Sequence, residues 1–199
     1  AACRLGVDRV ELCASPSDGG ITPSMATIVR VSAIRGVDVS VMIRPRGGDF
    51  LYSDEEFHTM LADITYARQC GATGVVFGIL TADGRVDVTR TRLLVEAAQG
   101  METTFHRAVD MTADYLQAIE DIIATGCTRI LTSGGYDKAI EGRDAIAQAV
   151  AIANGRIQIM AGSGVSPDNA LQLAGTGVDA LHFSAKQMIQ GGMKYRNPR

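Results

Sequence analysis

Seven short apolar segments, each followed by a polar turn and an amphipathic stretch, recur along the chain at intervals of roughly 25 to 35 residues, the length of a βα unit. They are "RVELC" (9–13), "VSVMIRP" (39–45), "GVVFGIL" (74–80), "ETTFHRA" (102–108), "RILTSGG" (129–135), "IQIMAGSGV" (157–165) and "ALHFSA" (180–185). Rich in Val, Ile and Leu, they are apolar on both faces instead of alternating. Strands of that kind must be covered on both sides, as parallel strands packed under helices are.

The intervening stretches carry helix punctuation. Thr22 before Pro23 predicts an N-cap with proline at the first helical position, and Ser166-Pro167 repeats the device. Ser53 with Glu56 predicts a capping box. Gly71, Gly126 and Gly177 stand where helices close just before strands. "DMTAD" resembles a helix start, which makes Asp110 a cap or turn residue.

Such regular alternation predicts one α/β domain over residues 1–199. A TIM (β/α)8 barrel has eight strands, and seven open-edged strands would leave costly unpaired backbone in the middle of the fold. The opening "AACRLG" resembles the last turn of a helix. The expectation is therefore a TIM (β/α)8 barrel with the first strand and last helix absent from this chain. An open doubly wound sheet is the alternative.

Composition narrows the function. The net charge is -3, with no Lys/Arg run, so nucleic acid is not an expected partner. No apolar stretch approaches the ~20 residues of a membrane span, so neither is a membrane. The four cysteines (Cys3, Cys13, Cys70 and Cys127) are widely spaced, which suits a reducing cytoplasm.

Barrel chemistry sits at the carboxyl ends of the strands. Those ends offer Glu11 and Cys13; Arg44, Arg46 and Asp49; His106, Arg107 and Asp110; Thr132 and Ser133; Gly162, Ser163 and Gly164; and His182, Ser184 and Lys186. Glu11, with apolar neighbours, is either an ion-pair partner or a proton-trading acid with a raised pKa. Arg44 and Arg46, two apart in an extended stretch, share a face suited to carboxylate or phosphate; one is expected to be structural and the other to face ligand. His106 shares the face of Thr104, with Arg107 on the other. The turn "AGSGVSPDN" predicts a backbone anion site at Gly162, Ser163 and Gly164, with Lys186 as counter-charge. Cys13 is the one cysteine expected at the mouth, where a soft thiolate suits Cu(I).

"DRVELC", "GGITPS", "IRPRGGDF", "TFHRAVD", "LTSGG", "MAGSGV" and "GGMKYRNPR" occur in the order found in the copper homeostasis protein CutC family, which this chain resembles along essentially its whole length. The resemblance implies a TIM barrel, a cytoplasmic homodimer, and copper homeostasis with copper binding. It also implies a mouth carried by Glu11, Arg44, Arg46, His106, Arg107 and Lys186 that looks like an enzyme pocket. Three functions follow as expectations. In the first the protein handles Cu(I) through Cys13. In the second it is a barrel enzyme whose Arg44, Arg46, Arg107 and Gly162–Gly164 turn, with Ser184, hold a small anionic molecule while Glu11 and His106 exchange protons. In the third it is a non-catalytic dimeric module.

Overall fold

The computed structural model describes residues 6–184 and 189–197. Within them seven parallel strands alternate with helices. They are β1 (Arg9–Leu12), β2 (Asp38–Met42), β3 (Gly74–Phe77), β4 (Glu102–Phe105), β5 (Arg129–Thr132), β6 (Gln158–Gly162) and β7 (Ala180–His182). The helices are α1 (Met25–Ser32), α2 (Asp54–Gln69), α3 (Val88–Ala98), α4 (Tyr115–Thr125), α5 (Arg143–Ala153) and α6 (Ala170–Ala174), with short 3-10 turns at Pro16–Asp18 and Arg107–Met111.

The strands pair strictly in chain order, from β1 beside β2 through to β6 beside β7, every pair parallel. This is the curled sheet of a (β/α)8 barrel lacking one strand, with β1 and β7 as its two outer strands among those described. The doubly wound alternative does not apply, since a reversal of strand order is what defines it.

The core lies between sheet and helices, as the apolar strands require. Val41, Val75, Phe77, Phe105, Ile130 and Ile159 pack against Ile64, Leu94, Ile119 and Ile146, all essentially inaccessible to solvent. The expected strands are longer than the hydrogen-bonded ones. Ladder pairing stops at Met42, Phe77 and Phe105, and the polar residues that follow belong to loops above the sheet.

The caps confirm and correct the sequence. The Ser53–Glu56 box forms in full at the start of α2, and Gly126 closes α4 in a left-handed conformation. Thr22 is not the cap of α1. Its hydroxyl accepts from Arg44 N–H at 2.9 Å, tying the loop to the end of β2, and Ser24 caps the helix instead. Ser166 is displaced in the same way by Asn169, whose side chain accepts from the Ser166 amide and which stands at the start of α6.

At the amino ends of the strands lies a polar layer with no clear signature in the sequence. Arg129, 2% exposed, donates to Glu102 and Gln158, and Glu102 also pairs with Arg9 at 2.7 Å.

Candidate functional site

A cavity of about 540 Å³ opens at the carboxyl ends of the strands. Its wall brings together Glu11 from β1, Arg44 after β2, His106 and Arg107 after β4, Ser163 and Gly164 after β6, and His182 and Ser184 from β7 and beyond. Side chains far apart in sequence thus meet at one mouth, as barrel topology dictates.

Arg44 dominates the site. It is 6% exposed, and its guanidinium donates from Nη1 to the carbonyls of Asp18 (2.7 Å) and Gly20 (3.1 Å), and from Nη2 to that of Gly48 (2.8 Å). Nε is buried without a partner among the described residues. No carboxylate forms an ion pair with Arg44 among the described residues, so of the two readings of Glu11 the ion pair with this arginine is not formed. The backbone carbonyls orient the cation without neutralising it, and the Phe50 ring lies 5.1 Å from it.

Arg46 lies elsewhere, which corrects its place in the anion site. Its guanidinium pairs with Glu56 (2.6 Å) and Asp49 (3.0 Å), donates to the Leu51 carbonyl, and stacks over Tyr52. The two arginines part because β2 pairing ends at Met42. Beyond it Pro45, Gly47 and Gly48 turn the chain, and strand alternation no longer governs which way a side chain points.

His106 is buried on a platform of Gly78, where a methyl group would stand 2.6 Å from ring atoms Cε1 and Nδ1. Nδ1 accepts from the Ala108 amide at 3.2 Å, which assigns the proton of the neutral ring to Nε2. Nε2 is buried and has no hydrogen-bond partner among the described residues. Burial, reinforced by the positive charge of Arg44, lowers the His106 pKa to about 3. At physiological pH the ring is a neutral hydrogen-bond donor.

Burial pushes the Glu11 carboxyl upward from its ordinary value, an effect that the nearby His182 opposes. Burial therefore biases both Glu11 and His106 towards their neutral forms.

Arg107 lines the same cavity, although alternation placed it opposite His106. The strand ends at Phe105 and a 3-10 turn begins, so both side chains reach the mouth. Arg107 donates from Nε to Asp110 (2.9 Å) and from Nη2 to Ser133 Oγ (2.9 Å) and the Tyr136 carbonyl (3.1 Å). Nη1 is uncommitted to any described residue. Asp110 caps no helix. Its side chain is 3% exposed and accepts from Thr132 Oγ1, the Ser133 amide and the Gly135 amide, while Asp114 caps α4. It is the residue that holds Arg107 against the end of β5.

Of the glycine-rich turn, Ser163 and Gly164 line the cavity. Gly162 does not; a methyl there would stand 2.5 Å from Leu131 Cδ1 and 3.3 Å from His182 Cβ, so glycine permits close strand packing. Ser163 donates to the Asp137 carbonyl, which leaves its hydroxyl proton unavailable to a ligand. Lys186 lies outside the described residues.

Cys13 does not line the cavity but stands beside it. A methyl on Gly20 would lie 3.3 Å from Cys13 Sγ and 3.6 Å from Met42 Cε, so a thiol and a thioether flank one glycine. No group of three or more His, Cys, Asp or Glu side chains among the described residues could hold a metal ion. Cys127, buried behind β5, has its thiol pKa pushed up to about 11, which makes it a poor metal ligand.

Sequence reasoning missed Phe50, Met42, Asp18 and Gly78. Gly78 had a signal, since a glycine interrupting "VVFGIL" marks close approach by another group. Phe50 had none, because its place depends on the path of the loop.

A model of the CutC family matches residues 1–187. A CutC family protein from Glaesserella parasuis is 50% identical over 188 residues, covering 94% of this chain and 77% of its own. A solved Streptococcus agalactiae structure, described as "Putative Copper Homeostasis Protein CutC", has a TM-score of 0.84 at 38% identity, with 88% of each chain covered. A solved aldolase has a TM-score of 0.67 at 16% identity over 90% of each chain, a likeness of fold alone.

Proposed function

The chain belongs to the CutC family, and from that premise we propose that its barrel mouth binds a small carboxylated or phosphorylated molecule between Arg44 and Arg107. The observation that carries this is the buried guanidinium of Arg44, oriented by three carbonyls and paired with no carboxylate among the described residues. A buried cation without a counter-ion is costly unless an anion completes it. Arg107 adds an uncommitted Nη1 on the same wall.

His106 and Glu11 supply the chemistry. His106 donates from Nε2 to an oxygen of the ligand, as a neutral imidazole held in one tautomer. Its lowered pKa makes it a poor proton carrier, so this replaces the exchange expected from the sequence. Glu11, its pKa raised by burial, is the group suited to deliver or accept a proton. The function is acid/base chemistry on an anionic small molecule, carried out in the cytoplasm by a homodimer.

The test is a thermal-shift and calorimetric panel of phosphorylated and carboxylated metabolites on wild type and Arg44→Met. Saturable binding lost in Arg44→Met supports the reading; a panel with no binder contradicts it. Sedimentation at the mass of one chain would contradict the dimer.

A second reading has its own observation. Cys13 and Met42 flank Gly20, and a thiol with a thioether suits Cu(I). An anaerobic Cu(I) titration against a chromophoric chelator separates the two. Under this reading wild type competes for one ion and Cys13→Ser does not.

A further inference from the structure

A second cavity of about 650 Å³ adjoins the first on the rim of the mouth. It is built from the loop after β2 (Phe50, Leu51), the loop after β3 (Leu80, Ala82) and the 3-10 turn after β4, which presents Met111. Apart from Asp49, whose carboxylate is engaged by Arg46, and Arg107, it carries no charged side chain. Leu51 and Met111 are 48% and 68% exposed, an unusual outlay of large apolar side chains at the edge of a polar site.

Phe50 and Arg107 belong to both cavities. On one side the Phe50 ring meets His106, with centroids 4.9 Å apart, and Arg44; on the other it walls the apolar groove. Arg107 stands at the same junction with Nη1 uncommitted. An anion held by the two arginines would therefore sit at the end of a groove whose further charge, the Asp49 carboxylate, is engaged by Arg46.

We propose that this groove holds the uncharged arm of the same ligand, which is then an amphiphilic anion: a phosphate or carboxylate bearing an alkyl or aryl extension. The inference rests on the anion-binding reading above and adds the substrate class to it. Phe50 separates the two halves, and Arg107 fixes the charged end at the boundary.

Calorimetric titration with inorganic phosphate, butyl phosphate and hexyl phosphate, and with acetate, butanoate and hexanoate, tests it. In wild type, affinity rises by about fourfold for each of the first few methylene groups buried. In Met111→Glu, which alters an exposed side chain, the ratio of hexyl phosphate to inorganic phosphate affinity shrinks by an order of magnitude or more. Using a ratio within each protein removes any difference in folded fraction. Short anions that bind with no gain from chain length would overturn the amphiphile and leave the anion site standing. An undiminished gain in Met111→Glu would also overturn it, by placing the arm elsewhere. Failure of every probe, short and long, would overturn both readings.

Discussion

Gly78 lies directly under the imidazole of His106: a β-carbon there would stand 2.6 Å from the ring and 2.9 Å from the Ala108 methyl. The glycine is what lets the ring lie flat enough for Nδ1 to accept the Ala108 amide, and so fixes which nitrogen carries the proton. Gly78→Ala is expected to destabilise the fold by about 1–3 kcal/mol, the usual cost of overpacking a filled site. It also displaces the ring and weakens anion binding. Urea denaturation and calorimetry on the same variant measure both.

Glu11 and His106 give stability opposite pH slopes. The folded pKa of Glu11 is raised, so its contribution is present below about 4.5, the unfolded value, and is lost as pH rises through the higher folded value. Glu11→Gln should therefore lose less stability than wild type between pH 5 and pH 8. The folded pKa of His106 is lowered to about 3 from 6.5, so its contribution is present above 6.5 and is lost as pH falls towards 3. His106→Gln should resist acid between pH 6 and pH 4 better than wild type, relative to each protein at pH 7. Denaturation midpoints across the range decide both signs.

The two arginines of "IRPRGG" have different fates and predict different variants. Arg44→Lys keeps a charge but loses the fork that clips Asp18, Gly20 and Gly48, and should weaken anion binding by about tenfold or more. Arg46→Ala should lower the denaturation midpoint slightly, by freeing the loop from Glu56, and leave anion affinity within error of wild type. Equal losses of affinity in both variants would contradict the separation.

The polar layer at the amino ends predicts a stability effect far from the mouth. Glu102 is shared by Arg9 and by Arg129, whose side chain is 2% exposed. Glu102→Ala leaves two guanidiniums facing one another, and is expected to cost about 2 kcal/mol, below the range for a fully buried pair because Glu102 is itself partly exposed. Anion affinity should not change.

The sequence was most legible where structure is local. Ser53 and Glu56 satisfy each other's amides within one turn, and Gly126 meets a backbone need at its own position, so both could be read directly. The βα period gave the barrel, because double-sided apolar strands have few other ways to be covered. Reading failed where a distant segment competed for a group. Thr22 is drawn from its helix by Arg44, and Arg46 from the mouth by the start of α2, whereas Asp110 stands in a turn, one of its two expected places. Glu11, Arg44, His106 and Arg107 could be named because barrel topology gathers strand ends. Which arginine would face the cavity depended on the turn through Gly47 and Gly48, which alternation cannot describe.

The proposed function requires an anion to complete Arg44 and Arg107. The most direct measurement follows the arginine Nε–Hε resonances by NMR while inorganic phosphate is titrated into the intact protein, with Arg46, already engaged by Glu56, as internal reference. Saturable shifts of the Arg44 and Arg107 signals are expected while Arg46 stays still. Shifts that are linear in phosphate and alike for all arginines, or no shift of Arg44 and Arg107, would contradict it.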